Sequence, residues 1–242
     1  MNKALILGAM SLLALSGCDK TADAPAASAP KSQVAPPAGT SWTETTSLTA
    51  DGGMLMGNPS APVKLIEYAA LSCPHCAKFS GDSAEGLKAL IAKGTVSYEL
   101  RTFLIHPQDL PASLLARCNG AGPFFAIAEQ LFATQNDWLA KSSTITAADQ
   151  QSWANMSPNQ VAASMADKLG LVEFVQQRGI PADKAKSCLA DPEGVLTLEK
   201  IDTVAADEYK ISGTPTFIIN GKVVPNVTTW VDLEPQLKIA GA

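Results

Sequence analysis

The spacing of hydrophobic residues divides most of the chain into a strand–helix–strand unit, a long helical stretch and a second β region. Residues 63–68 are rich in β-branched and aromatic side chains, and apolar residues alternate with polar ones over residues 95–103. Both features predict β-strands. Between them, apolar residues recur at helical spacing up to Gly94, which predicts a helix that ends there. Together they indicate the start of an α/β unit.

A helical pattern extends from residue 108 to about residue 210. Pro158, Gly170, Pro181 and Pro192 interrupt it, so we expect several short helices. The apolar stripes of these helices are more typical of a hydrophobic core than of a cofactor site. The stripes contain Phe124, Ile127, Ala128, Leu131, Phe132, Trp138, Leu198, Ile201 and Ala205.

Strand character returns near the end of the chain. Residues 216–219 and 222–224 flank Asn220-Gly221, a dipeptide that strongly favours a two-residue hairpin. Residues 230–239 then have the pattern of a closing amphipathic helix. We therefore expect a hairpin followed by a final helix.

The first residues have the pattern of an export signal. Lys3 precedes an apolar run over residues 4–15, which has the length of a signal-peptide core. The run ends in Leu15-Ser16-Gly17-Cys18, which resembles the bacterial lipobox. The resemblance implies that residues 1–17 are a lipoprotein signal peptide and that lipid on Cys18 attaches the protein to a membrane. The alternative is an ordinary signal peptide with Cys18 incidental.

Residues 18–41 are the predicted tether between lipid and folded domain. They are rich in Ala, Pro, Ser and Thr and contain almost no large apolar side chains, so they cannot bury enough surface to offset the entropy of ordering. The folded part is expected to start near Trp42 or Met54. Asp19 resembles the signal that keeps lipoproteins of enteric bacteria in the inner membrane. We therefore expect a periplasmic domain with an anchor in that membrane.

Charge and cysteine content narrow the possible partners. The 242 residues carry a net charge of −5 and no basic cluster, so we expect no nucleic-acid partner. The chain has five cysteines, an odd number for an exported protein. If Cys18 carries lipid, then Cys73, Cys76, Cys118 and Cys188 can form two pairs in an oxidising compartment.

The candidate chemistry lies in Cys73-Pro74-His75-Cys76, at the start of the first predicted helix. The unpaired N–H groups and the dipole of a helix N-terminus favour a thiolate, so we expect a lowered pKa for Cys73. His75 adds a donor or positive charge, and Pro74 suits the first helical turn because it has no N–H. We expect the sulfur of Cys73 to be exposed and to attack, and that of Cys76 to be buried and to resolve the intermediate.

Three other interpretations of this cysteine pair are weaker. A zinc site needs about two more ligands, and Cys118, Cys188 and His106 stand alone in the sequence. Covalent haem needs a histidine directly after the second cysteine, where Ala77 stands. A purely structural bridge across so short a loop would remove little chain entropy. We expect no metal and no cofactor, and we interpret His106 as structural or solvated.

The order of the elements and two motifs resemble the DsbA family over roughly residues 50–240. The motifs are the cysteine pair and Gly213-Thr214-Pro215-Thr216-Phe217. The resemblance implies an α/β, thioredoxin-like fold with an all-helical domain inserted in its middle. The first thioredoxin-like part would span residues 42–107, the insertion 108–210 and the second part 211–242.

The resemblance also assigns roles to residues outside the cysteine pair. It implies that Pro215 is cis and that the backbone of Thr214 binds an extended substrate peptide; the alternative is a trans proline that opens a strand. Glu67 stands where the family has a buried acid that moves protons for the buried cysteine; the alternative is a solvated, outward-facing glutamate. Ser80 stands where the family has a second acid, which puts the fine tuning of the redox potential in doubt.

The resemblance further implies an activity and its partners. Cys73 would form a mixed disulfide with unfolded exported proteins, and a membrane reoxidase resembling DsbB would restore the disulfide. Because some relatives carry a second disulfide in the helical domain, Cys118 and Cys188 are expected to pair; two free buried thiols are the alternative. The rival activities are an isomerase or reductase kept reduced by another partner, and a non-catalytic lipoprotein with two structural disulfides.

Overall fold

The computed structural model describes residues 35–242. The expected signal peptide at 1–17, lipidation at Cys18 and most of the tether at 18–41 lie outside this part of the chain. Trp42 is buried and opens a short 3₁₀ helix, Trp42–Glu44, so the folded part begins at the earlier of the two expected positions.

A mixed six-stranded sheet forms the centre of the fold, with the strand order β1-β2-β4-β3-β5-β6. The strands are β1 (Thr46–Leu48), β2 (Met54–Gly57), β3 (Val63–Ala69), β4 (Val96–Thr102), β5 (Thr216–Ile219) and β6 (Lys222–Val223). Only β3 and β4 pair in parallel within residues 35–242, and the other neighbours are antiparallel. Strand β3 thus lies in the interior of the sheet, and the chain that leaves its carboxyl end leads directly to the cysteine pair.

Helix α1 (Pro74–Ala92) connects the two parallel strands. Its inward residues follow helical spacing, and they include Cys76, Phe79, Ser83, Leu87, Leu90 and Ile91. The helix ends just before Gly94, whose φ of +73° suits glycine because it has no Cβ, as the sequence predicted. Helix α1 packs against a helix of the insertion on one flank and against the last helix of the chain on the other.

Eight α-helices lie between β4 and β5 and form the helical insertion. They are α2 (Asp109–Ala116), α3 (Ala121–Ala133), α4 (Gln135–Ala140), α5 (Ala147–Trp153), α6 (Pro158–Leu169), α7 (Leu171–Gln176), α8 (Ala182–Ala190) and α9 (Pro192–Asp207). The predicted breaks fall at helix boundaries. Pro158 and Pro192 occupy first-turn positions, and Gly170 ends α6 in the left-handed conformation.

The chain returns to the sheet through the predicted hairpin. Asn220 and Gly221 both have positive φ, at 50° and 79°, as a type I′ turn between β5 and β6 requires. Helix α10 (Trp230–Ile239) closes the fold, and the ring of Trp230 lies 6.5 Å from that of Phe79 on α1. The expected thioredoxin-like α/β fold with a helical insertion is therefore confirmed. Across residues 35–242, the helices are too short or too polar to cross a bilayer.

Candidate active site

The two cysteines lie at the start of α1, just beyond the end of β3. Cys73 is the N-cap residue, with extended backbone angles, and Pro74 occupies the first helical position. The carbonyl of Cys73 accepts the N–H of Ala77 at 3.1 Å, which begins the helical hydrogen bonding. The first-turn N–H groups have no partner within the helix, and those of His75 and Cys76 interact with the Cys73 sulfur.

Both cysteines are buried, which corrects the expectation that the Cys73 sulfur is exposed. Cys73 is 4 % exposed and Cys76 is fully buried. The physical reason is tertiary: the loop that carries Thr214 lies against Cys73, and the sulfur of Cys73 is 3.3 Å from the Thr214 carbonyl oxygen. Cys73 remains the more accessible of the two, and the order of reactivity expected from the helix position stays a prediction.

The surroundings of Cys73 stabilise its thiolate. They lower its pKa from 9.0 to about 5, mainly through a hydrogen bond from the Cys76 thiol, with further contributions from the Thr214 side chain and from backbone N–H groups, whereas burial opposes the shift. The Thr214 hydroxyl is buried and has no other hydrogen-bond partner among the described residues. It is therefore free to bind the anionic sulfur.

The backbone of His75 contributes to the stabilisation of the Cys73 thiolate. Its side chain is exposed. The group of this residue that lowers the pKa of Cys73 is the backbone N–H. The structure thus supports the helix-terminus part of the electrostatic argument, and the role expected for the imidazole stays a prediction.

Cys76 has the opposite electrostatic surroundings. Burial raises its pKa far above the ordinary value, and the nearby Cys73 and Glu67 raise it further. A thiol with such a pKa stays protonated unless a neighbouring base accepts its proton. The pair therefore consists of an acidic sulfur at the helix terminus and a non-acidic sulfur inside the fold.

Glu67 is 2 % exposed and lies on the inward face of β3 with Val63 and Leu65, so its outward-facing alternative is excluded. The Tyr98 hydroxyl donates a 2.6 Å hydrogen bond to Oε2 of Glu67. Burial raises the pKa of Glu67 from 4.5 to about 8, the hydrogen bond from Tyr98 opposes that shift, and the negative charge of Cys73 adds to it. The carboxyl group can thus give or take a proton near neutral pH.

A cavity of about 40 Å³ adjoins Glu67 between the sheet and helices α1 and α3, and it has room for water. Tyr98 and Ser80 are among its lining residues, so the serine that stands where the family has a second acid faces the same space as Glu67. Lys88 and Glu129 also line it, and they form a 3.0 Å ion pair that is partly exposed to solvent. The cavity thus extends from the buried carboxyl group to an ion pair that is partly exposed to solvent.

The Thr214–Pro215 peptide bond is cis. Its segment lies beside Cys73, so the two motifs identified in the sequence meet in space. A groove runs from this segment along residues 209–216 and 223–228. Thr214 and Pro215 are among the residues that line this groove.

Sequence reasoning missed Gln135, which holds the active-site turn from the insertion. Its Nε2 group donates to the carbonyl oxygens of Leu71 at 2.7 Å and of Cys73 at 3.0 Å. It also missed the contact of Tyr98 with Glu67, although Tyr98 is one of the apolar positions in the alternating pattern of residues 95–103. No local signal marks Gln135, because its partners lie more than sixty residues earlier in the chain.

Cys118 and Cys188 form a disulfide that joins the end of α2 to α8, with their Cα atoms 5.5 Å apart. Both lie in the helical insertion, away from the pair at the start of α1. Among the described residues, no group of three or more His, Cys, Asp or Glu side chains is arranged to hold a metal ion.

The chain is similar in sequence and in structure to known proteins. A family model described as thioredoxin matches residues 49–238. A Rickettsia prowazekii protein named "Putative protein-disulfide oxidoreductase" is 29 % identical over 177 residues, which are 73 % of this chain and 57 % of that protein. The chain thus spans little more than half the length of this relative.

Two solved structures have the same overall fold. A protein-disulfide isomerase from Novosphingobium aromaticivorans is 28 % identical with a TM-score of 0.74, covering 80 % of this chain and all of that one. Wolbachia pipientis alpha-DsbA1 is 19 % identical with a TM-score of 0.63, covering 80 % of this chain and 92 % of that one, and it bears on the fold alone. With the family match over residues 49–238, the chain belongs to the thioredoxin family, and it has the DsbA-like form of that fold.

Proposed function

We propose that the protein is a thiol–disulfide oxidoreductase that donates the Cys73–Cys76 disulfide to exported proteins. The observation that carries the proposal is the contrast within the pair: the surroundings lower the pKa of Cys73 to about 5, and those of Cys76 raise its pKa. A stabilised thiolate stabilises the reduced form, so the disulfide is readily given away. DsbA is the best-known oxidant whose reduced form is stabilised in this way, and the reasoning follows that case.

The first step is attack of a substrate thiolate on the sulfur of Cys73. A mixed disulfide forms, the Cys73–Cys76 bond breaks, and the sulfur of Cys76 leaves with the electron pair. Because burial disfavours a Cys76 thiolate, the protonated carboxyl of Glu67 supplies a proton to it. Glu67 then regains a proton from solvent through the adjoining cavity.

In the second step another substrate thiolate attacks the substrate sulfur of the mixed disulfide. The substrate disulfide forms and Cys73 leaves as a thiolate, which its surroundings stabilise. The substrate dithiol is oxidised by two electrons and the protein disulfide is reduced. When the mixed disulfide resolves in the reverse direction, Cys76 attacks instead, and Glu67 accepts its proton.

Substrate binding is proposed for the segment that contains the cis peptide bond. The backbone of Thr214 lies beside the sulfur of Cys73, and the groove along residues 209–216 continues from it. An extended, unfolded chain can pair with such a backbone edge without a defined sequence, which suits an enzyme that acts on many proteins.

The site of action is proposed from the first residues of the sequence. Export through the signal at 1–17 and lipid on Cys18 would hold the domain in the periplasm at a membrane, with the inner membrane favoured by Asp19. A membrane reoxidase resembling DsbB would then restore the disulfide. Replacement of Cys18 by Ser is expected to release the protein from membranes, and fatty-acid labelling of the two forms tests this.

A direct transfer assay tests the proposed chemistry. Oxidised protein is mixed with a reduced, unfolded protein that has two cysteines, and the substrate thiols are expected to disappear as Cys73 and Cys76 become reduced. The double variant Cys73→Ser, Cys76→Ser keeps the Cys118–Cys188 bridge and serves as the control. Equal loss of substrate thiols with this variant would contradict the proposal.

An isomerase is the second candidate, because the Novosphingobium aromaticivorans neighbour is described as a protein-disulfide isomerase. The two activities need opposite resting states of the cysteine pair. Acid quenching and thiol trapping in cells distinguish them: a mainly oxidised pair supports the oxidase, and a mainly reduced pair supports an isomerase or reductase.

A further inference from the structure

Ser72, the residue directly before Cys73, is held by a buried carboxylate of the helical insertion. Its N–H donates to Oδ1 of Asp109 at 2.8 Å, and its hydroxyl donates to Oδ2 of the same residue at 2.9 Å. Asp109 is fully buried at the start of α2. Two bonds from one carboxylate therefore fix both the backbone and the side chain of Ser72.

The carboxylate of Asp109 has two further donors. Its Oδ2 atom accepts the backbone N–H groups of Ile105 at 3.1 Å and of His106 at 2.8 Å. Burial raises the pKa of Asp109, and the four hydrogen bonds oppose that shift because they favour the charged form. Asp109 thus joins the loop after β4 to the turn after β3.

His106 extends the contact to the surface. Its Nδ1 atom lies 2.8 Å from the hydroxyl oxygen of Ser72. When the Ser72 hydroxyl donates to the carboxylate, the His106 tautomer with a proton on Nδ1 is the one that can donate in this contact. The imidazole is exposed to solvent, but it also contacts Ser72. It therefore belongs to a hydrogen-bonded chain that runs from His106 through Ser72 to Asp109.

The insertion therefore holds the active-site turn at every residue from 71 to 73. Gln135 of α4 binds the carbonyl oxygens of Leu71 and Cys73, and Asp109 of α2 binds Ser72 between them. The sulfur of Cys73 has to stay close to the Thr214 segment and to the first N–H groups of α1 for its thiolate to be stabilised. A displacement of Ser72 would move the sulfur relative to all of these groups.

We propose that Asp109 is a positioning residue for Cys73 that acts through Ser72, with His106 supporting the serine from the surface. This inference rests on the proposed function only in taking Cys73 as the reacting sulfur. A purely structural role for Asp109, as a cap of residues 105–106, is the alternative that the experiment has to exclude.

The variant Ser72→Ala separates the two roles, because it removes one hydroxyl and leaves the backbone bonds of Asp109 in place. We expect the pKa of Cys73 to rise by about half to one pH unit, with an about three- to tenfold smaller equilibrium constant for reduction of the disulfide by glutathione. Ser72→Thr keeps a hydroxyl, so we expect its Cys73 pKa and its glutathione equilibrium constant to equal those of the wild-type protein. The pKa of Cys73 is measured by following thiolate absorbance near 240 nm, a standard band for this ion, as a function of pH.

Ser113→Ala is the matched control. Ser113 is a buried serine of α2, the helix that also carries Asp109, and its hydroxyl has no hydrogen-bond partner among the described residues. Its replacement is expected to leave the pKa of Cys73 and the glutathione equilibrium unchanged, even if stability falls.

Asp109→Asn supplies the second test. If Asp109 positions the sulfur, this variant raises the pKa of Cys73 as Ser72→Ala does. An unchanged pKa in folded Ser72→Ala, or a lowered pKa in Asp109→Asn because a repelling charge is gone, would overturn the proposal. Should Asp109→Asn fail to fold, the comparison of Ser72→Ala with Ser72→Thr decides. Failure of the wild-type protein to transfer disulfides would contradict the proposed function without altering these pKa comparisons.

Discussion

The Tyr98 hydroxyl donates a 2.6 Å hydrogen bond to the buried carboxyl of Glu67, which joins the two parallel strands of the sheet behind the cysteine pair. The bond favours the ionised carboxylate and so limits the effect of burial on its pKa. Tyr98 on β4 therefore helps to keep the pKa of Glu67 close to neutral pH, where the carboxyl group can exchange a proton with Cys76.

Replacement of Tyr98 by Phe is expected to raise the pKa of Glu67 above that of the wild-type protein in the same redox form, because the opposing hydrogen bond is lost. The side-chain carboxyl signal of ¹³C-labelled glutamate, assigned by its absence in Glu67→Gln, reports this pKa in the oxidised protein. Tyr209→Phe removes a tyrosine hydroxyl that contacts no carboxylate of β3 and is the control. An equal or lower pKa in Tyr98→Phe would show that the hydrogen bond does not tune the acid.

Glu67 and Cys73 make opposite contributions to the pH dependence of stability. Folding raises the pKa of Glu67 from 4.5 to about 8, so the folded protein holds more protons and its free energy of unfolding falls as pH rises through this window. Folding lowers the pKa of reduced Cys73 from 9.0 to about 5, so its contribution grows as pH rises from about 5 to 9.0.

The variant Glu67→Gln removes the contribution of Glu67, because glutamine does not titrate, and leaves that of Cys73. There we expect the reduced form to gain stability over the oxidised form as pH rises from about 5 to 9.0. The gain should be on the order of a few kcal/mol, because one pKa unit corresponds to about 1.4 kcal/mol. Urea unfolding of both redox forms at several pH values measures it. Parallel curves for the two forms would show that Cys73 has no lowered pKa in the folded protein.

The hydroxyl of Thr214 is the next test of thiolate stabilisation. We expect Thr214→Val to raise the pKa of Cys73, because the valine has the same shape but cannot donate to the sulfur. Thr102→Val is a matched control, since the Thr102 hydroxyl is also buried and makes no hydrogen bond to either cysteine. Titration of the thiolate absorbance compares the two variants, and an equal pKa in both would assign the stabilisation to the Cys76 thiol and the backbone N–H groups.

Much of the fold could be predicted because its signals are local. The alternation around Val63 and Leu65, the stop at Gly94 and the turn at Asn220-Gly221 each depend on a few neighbouring residues. The first two strands gave no comparable signal. They are three and four residues long, too short to show an alternating pattern. In the sheet, β2 pairs with β4, and β1 pairs with β2.

The candidate site was predictable in its residues but not in its environment. The spacing of Cys73 and Cys76 marks the chemistry, yet the burial of Cys73 depends on a loop about 140 residues later in the chain. Gln135 and Asp109 also reach the site from distant helices. These contacts arise because the insertion packs against the active-site turn. The sequence pattern within either segment does not predict which residues of the two segments meet.

The Cys118–Cys188 bridge is expected to contribute stability and not chemistry. It closes a separation of 70 residues. In the chain-entropy view such a loop corresponds to about 4 kcal/mol. The double variant Cys118→Ala, Cys188→Ala should therefore unfold at lower urea concentration and still transfer disulfides at the wild-type rate. Loss of transfer by a folded double variant would show that the two pairs are functionally coupled.

The difference between the two sulfurs predicts which variant traps substrates. Cys73 lies at the helix start with a pKa of about 5, so it is the sulfur that forms the mixed disulfide, whereas Cys76 is fully buried with a raised pKa. In Cys76→Ala no internal thiol can resolve the adduct, and mixed disulfides with substrate proteins should accumulate. In Cys73→Ala they should not, because substrates cannot reach Cys76. Non-reducing gels of acid-quenched cells show such adducts as bands that reductant removes. Equal trapping by both variants would mean that substrates reach the buried sulfur, and the assigned order of attack would be wrong.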